Sequence, residues 1–177
     1  MANEPEMMTL RIRKRLPTSY YTEIGRIIYV ASRIDAALFT ITCMILQIGP
    51  KKGRLAVVQK RPHEQLYLIH NLARVNKIKL GFNWKKFHAG LKQFDSYRNR
   101  VAHCVWVHHP GSDTPVIQDF SAAYISNLQE GFQPKITPIA VEVPLSHLRD
   151  IKSNGEQLLG YLEALENQIQ AQLPSLP

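Results

Sequence analysis

Residues 84–103 read W-K-K-F-H-A-G-L-K-Q-F-D-S-Y-R-N-R-V-A-H, and this stretch decides the fold. Trp84, Phe87, Leu91, Phe94 and Val101, continued by Val105, recur at three- and four-residue spacing, so they line one face of a helix. Asn83, at the end of the G-F-N turn that precedes them, can cap that helix. Arg98 falls on the same apolar phase, four residues after Phe94 and seven before Val105. A guanidinium in that position is costly unless a carboxylate, a cleft or a subunit interface receives it. Asp35 and Asp95 are the candidate carboxylates.

Upstream, Ile24, Ile27, Ile28, Ala31, Ile34, Leu38, Ile41 and Ile45 repeat at helical spacing. Thr18 and Ser19 can cap this first helix, and Gly49-Pro50 stops it. The basic segment Lys51 to Arg61 holds a short helical run over Leu55–Val58. Pro62 restarts the chain, with Leu66, Ile69 and Ala73 as the stripe of the next helix. Downstream the period changes to two: Val105–His108 and Val116–Phe120 flank P-G-S-D at Pro110–Asp113, a hairpin signal with a long loop. Ile139–Val143 reads as another short strand, and residues 121–138 carry no decisive pattern. Pro144 opens a last helix along Leu148, Ile151, Leu158, Leu162, Leu165 and Ile169. The expected fold class is mainly α, a four- to five-helix bundle with a small β-hairpin insertion before the last helix. Its parts are a flexible basic arm over 1–17, a single helical domain over 18–173 with the β insertion at about 105–143, and a frayed tail over 174–177.

Composition narrows the function. A chain of 177 residues can bury roughly 70% of its unfolded surface in one domain. Cys43 and Cys104 form neither a disulfide framework nor a zinc motif, which fits a reducing cytoplasm. The longest apolar run, Ala36–Ile48, is shorter than the roughly 20 residues of a spanning helix, and Arg26, Arg33 and Asp35 interrupt it upstream. Residues 1–8 carry Glu4 and Glu6 and no apolar signal core. Neither membrane insertion nor secretion is expected. The net charge of +8 is uneven: +9 over residues 1–80, +4 over 81–110 and −5 over 111–177. The first two thirds therefore suit a polyanion such as RNA. Arg11, Arg13, Lys14 and Arg15 in the arm, Lys51, Lys52 and Arg54 in the basic segment, and Arg100 are candidate phosphate contacts. Tyr97 and Trp106 flank the region and could stack on bases, but for Trp106 packing in the core or in a dimer is the preferred reading.

The hexad Arg98–His103, R-N-R-V-A-H, combines a permanent cation, an amide and a titratable imidazole within two helical turns. Arginine's planar fork matches phosphate oxygens, and histidine exchanges protons near neutrality. The spacing alone would arise about once in a shuffled chain of this composition. Asn99 and His103 share a helix face, whereas Arg98 and His103 are about 140° apart on an ideal helix. A twofold dimer can bring both around one cleft. In the alternative arrangement Arg98 is tied to Asp35 or Asp95 for structural reasons and His103 is a core histidine.

Two amphipathic helices, then R-N-x-x-x-H near the end of a third, then a turn and a last helix, resemble the HEPN (higher eukaryotes and prokaryotes nucleotide-binding) superfamily. Its signature is R-x(4 to 6)-H, often with a polar residue after the arginine, a place filled here by Asn99. Ile34-Asp35-Ala36-Ala37-Leu38 also looks like the first-helix segment of bacterial members. The resemblance covers roughly residues 20–170, and its specific part is the hexad. It implies a homodimer with the motif at the interface that cuts RNA without a metal or cofactor. His103 would act as acid or base, Arg98 would hold the phosphate and Asn99 would orient them. It also implies a cytoplasmic toxin or defence component, with an antitoxin or regulatory protein as a further partner. One branch, paired with a nucleotidyltransferase antitoxin, has a tyrosine two residues after the histidine; Val105 stands there, so modification of that kind is not supported. Other members keep the fold without cleavage, so the alternative is a noncatalytic module that binds RNA, nucleotide or protein. A third reading is a dimeric scaffold.

Two other chemistries compete on the residues. His103, Cys104, His108, His109 and Asp113 crowd one stretch, but their spacing matches no strong metal pattern. Cys104 lacks an evident base and orienter, so it reads as a packed residue, not a nucleophile.

Overall fold

A computed structural model describes residues 11–12, 16–57, 60–81, 83–108, 113–119 and 139–173. The first apolar stripe forms helix α1 (Thr18–Leu46), which buries Ile27, Ile34, Leu38, Ile41 and Ile45. By length and composition α1 could cross a membrane, yet this stripe is part of the core. The helix ends before Gly49. Gln47 takes a φ of 51°, and the amides of Gln47 and Ile48 donate to the carbonyls of Met44 and Cys43. That is a left-handed C-terminal cap built without glycine.

Helix α2 (Pro50–Val57) starts five residues before the expected run at Leu55, on the very proline expected to end α1. A proline suits a first turn because its missing N–H has no partner there. Helix α3 (Pro62–Val75) uses Pro62 in the same way and buries Leu66, Ile69 and Ala73. Its end repeats the α1 device: Lys77 has a φ of 58°, and Lys77 and Ile78 donate to Arg74 and Ala73. Helix α4 (Trp84–His103) is capped as its sequence predicts, the Lys86 amide donating to Asn83 Oδ1 at 3.0 Å. Val105, expected on its apolar face, lies beyond its end. Helix α5 (Leu145–Gln170) follows Pro144 and buries Leu148, Leu162, Leu165 and Ile169 completely. Each such side chain contributes about 1.5–3 kcal/mol through burial.

Strands β1 (Arg11–Ile12), β2 (Val105–His108), β3 (Val116–Asp119) and β4 (Ile139–Glu142) form one antiparallel sheet in chain order. Trp106 faces Ile117, and Ile117 faces Val141 in the next strand. The expected hairpin is thus the middle of a four-stranded sheet. The arm expected to be flexible throughout residues 1–17 supplies β1, with Arg11 opposite His108. The physical reason is the free edge of β2, whose backbone groups gain partners from any extended segment alongside. Residues 121–138 and the tail 174–177 lie outside the described residues.

Contacts divide the expected domain of residues 18–173 into two compact units, 1–24 with 99–149, and 25–98 with 150–177. In the first, Tyr20, Val101, Val107, Val116, Ile117, Val143 and Leu148 are buried. The Tyr20 hydroxyl donates to the Val143 carbonyl at 3.0 Å, and its ring meets Trp106 edge-on at 6.0 Å. In the second, Gly155 lets α5 close on its neighbours: a Cβ there would lie 2.5 Å from the Phe94 ring and 2.9 Å from Val30. Arg33 and Glu163 add an exposed ion pair at 3.0 Å between α1 and α5. His70 packs on Trp84 at 4.6 Å between ring centres, linking α3 to α4.

Candidate functional site

Arg98 belongs to the second unit, where about a quarter of its side chain (24%) meets solvent. Its Nη2 donates to Asp95 Oδ1 at 2.6 Å, one turn earlier on α4. Asp95 is 7% exposed, so this charge-assisted bond forms largely out of water, where it is stronger than at a surface. Nε of Arg98 is buried without a hydrogen-bond partner. Of the two carboxylates the sequence offered, Asp95 makes the direct bond. Asp35 keeps exposed surface, but its carboxyl titrates above its ordinary value. Desolvation by its surroundings is the largest cause, the Arg98 guanidinium opposes it, and the Asp95 charge adds to it. Asp35, Asp95 and Arg98 are therefore one electrostatic group.

Asn99 and His103 belong to the first unit, on the final turns of α4, and both are exposed. Their four-residue separation puts them on one helix face, as the sequence predicts. The exposure of His103 corrects the core-histidine alternative. Buried Val101 accounts for it, because an apolar residue facing inward turns residues two positions away toward the other side. Arg100 is exposed in the last turn, where a cation is favoured by the helix dipole.

The candidate RNA contacts fare unequally. Lys51, Lys52 and Arg54 are exposed on α2. Tyr97 is half-buried, its hydroxyl accepting from Gln93 Nε2 at 3.4 Å. Arg11 lies in β1, while Arg13, Lys14 and Arg15 lie outside the described residues. Trp106 is half-buried beside Tyr20. His109, from the competing histidine cluster, is also outside the described residues. Among the described residues no three His, Cys, Asp or Glu side chains gather in a way that could hold a metal ion.

One feature of the second unit escapes a sequence reading. A groove of about 530 Å³ runs between α4 and α5. Asn83, Lys86, Gln93 and Tyr97 line it from α4 and its cap, and Asn154, Gln157 and Tyr161 line it from α5. The traces in the sequence are the spacings of Asn154, Gln157 and Tyr161 and of Lys86, Gln93 and Tyr97, each of which puts polar side chains on one helix face. Comparison of the chain with protein-family models, with curated proteins and with solved structures finds no match.

Proposed function

We propose that the protein is a HEPN-like, metal-independent endoribonuclease that acts as a cytoplasmic homodimer, with Arg98, Asn99 and His103 as its catalytic residues. The observation that carries this reading is the exposed imidazole of His103 on the same helix as a carboxylate-anchored, still solvent-reachable Arg98. In the reaction His103 removes the proton of an RNA 2′-hydroxyl. The 2′-oxygen bonds to phosphorus, the bond to the 5′-oxygen breaks, and the proton returns to that leaving oxygen. Arg98 meets the charge that develops on the phosphoryl oxygens, and Asn99 orients the groups. The wide angle between Arg98 and His103 on an ideal helix makes a second copy of α4 the natural source of the other half of the site. The burial of the apolar stripe of α1 supports a protein that stays out of the membrane. A toxin or defence role under the control of an antitoxin or regulatory protein follows from the same resemblance.

A second reading is favoured by one observation. Asp95 already occupies Nη2 of Arg98, which suits a noncatalytic module in which the arginine holds the helix and RNA, nucleotide or a protein is bound without cleavage. Incubation of the purified protein with structured and single-stranded RNA in EDTA separates the two. The enzyme reading expects cutting that falls at least about 100-fold in His103→Ala and in Arg98→Ala, the usual range for loss of a proton-transfer or charge-stabilising group. Binding by the wild type with no cutting of any RNA would favour the module.

A further inference from the structure

We infer that the groove between α4 and α5 holds a base of single-stranded RNA. This rests on the RNA reading above and extends it to a set of residues outside the hexad. The walls carry one phenol each, Tyr97 on α4 and Tyr161 on α5, and Tyr161 is 57% exposed. Phe87, buried on α4, packs edge-on across to Tyr161 of α5 with ring centres 5.9 Å apart, which fixes the Tyr161 ring where the two helices meet. Aromatic faces of this kind stack bases with little regard to sequence.

The lining also carries amides. Gln93, Asn154 and Gln157 are exposed, and each offers a donor and an acceptor side by side, the pattern a base edge presents. Lys86, also exposed, supplies a cation for a phosphate, and among the described residues no acidic side chain lines the groove. Two glycines keep it open or shape it: Gly90 lies on its wall, and Gly155 lets α5 approach α4. The volume of about 530 Å³ lies within the range of about 300–1,000 Å³ typical of small-ligand sites. Tyr97 is the residue before Arg98, which belongs to the same unit.

The test is binding of a fluorescein-labelled, 2′-O-methylated single-stranded RNA 12-mer, which cannot undergo 2′-hydroxyl attack, by anisotropy. Two groove variants are compared with wild type: Asn154→Ala with Gln157→Ala, which trims exposed amides, and Ala89→Trp, which fills the groove from an exposed lining position. Circular dichroism and thermal melting verify their fold. Both variants should bind about tenfold or more weakly, the amide variant through lost hydrogen bonds to the base edge and Ala89→Trp by taking the place of the stacked base. Unchanged affinity in both folded variants, or no binding by the wild type, would overturn the subsite. A change of oligomeric state in Ala89→Trp without a change in affinity would overturn it too, marking the face as a contact between copies. Cleavage in EDTA is scored separately on unmodified RNA. A weakened binder beside an inert wild type would uphold the groove and sink the nuclease; His103-dependent cutting with unaffected binding would do the reverse.

Discussion

At the scale of single residues, the Asp95–Arg98 bond is both a stability element and a means of aiming the guanidinium. Asp95→Ala leaves a half-buried cation without its carboxylate and should cost about 1–3 kcal/mol of unfolding free energy in urea titrations. No loss of stability would mean that the 2.6 Å bond is not formed in solution. Asp35 has the opposite sign. Because its folded pKa is raised, chiefly by desolvation, the folded state holds its proton more tightly than the unfolded chain. Stability contributed by the protonated carboxyl is complete below the ordinary value of 3.8 and declines as pH rises from there through the raised folded value. Asp35→Asn should therefore raise the melting temperature at neutral pH and leave it nearly unchanged at pH values below that ordinary one. A variant less stable than wild type at neutral pH would contradict the desolvation reading. The sequence shows that Arg98 needs a partner, because the guanidinium sits on the apolar phase of its helix. Which carboxylate it takes depends on side-chain rotamers, which periodicity does not encode.

At the scale of elements, the helices were largely legible and their ends were not. Stripes such as Leu148, Leu162, Leu165 and Ile169 fix a helix because apolar residues at that spacing reach one common face only when the backbone turns every 3.6 residues. The caps at Gln47 and Lys77 escape this reading, since left-handed backbone usually signals its place with glycine and here does not. Strand β1 escapes it for another reason: two residues are too short for a period, and the pairing with β2 is a long-range event. The glycines of α5 look alike in sequence and differ in space. Gly155→Ala should destabilise by about 1–3 kcal/mol through overpacking against Phe94 and Val30, despite the better helix propensity of alanine. Gly160→Ala, with nothing within 4 Å of the new methyl, should stabilise by up to about 1 kcal/mol. Thermal melts of the two variants shifting in the same direction would contradict the packing of α5.

At the scale of the whole molecule, the proposed function depends on charge and on a twofold pairing that can be tested. If the partner is RNA, the excess of +8 should make the association weaken steeply with salt. The helix that carries the hexad was legible, and the groove beside α4 was not, because its two walls are far apart in sequence. If Arg98 and His103 act across a twofold interface, mixing inactive Arg98→Ala and His103→Ala proteins should restore cleavage. Random exchange makes about half the dimers mixed, each with one complete pair, so roughly a quarter of the wild-type rate is expected. No recovery after verified subunit exchange would place both residues of a working site in one chain.

The most direct measurement is mass spectrometry of the RNA ends produced in EDTA by the wild type, with folded His103→Ala and Arg98→Ala proteins alongside. The expected result is 2′,3′-cyclic phosphate and 5′-hydroxyl ends from the wild type, and their loss in both variants. Uncut RNA from all three proteins, or ends of the same kind and amount from all three, would contradict a catalytic role for Arg98 and His103.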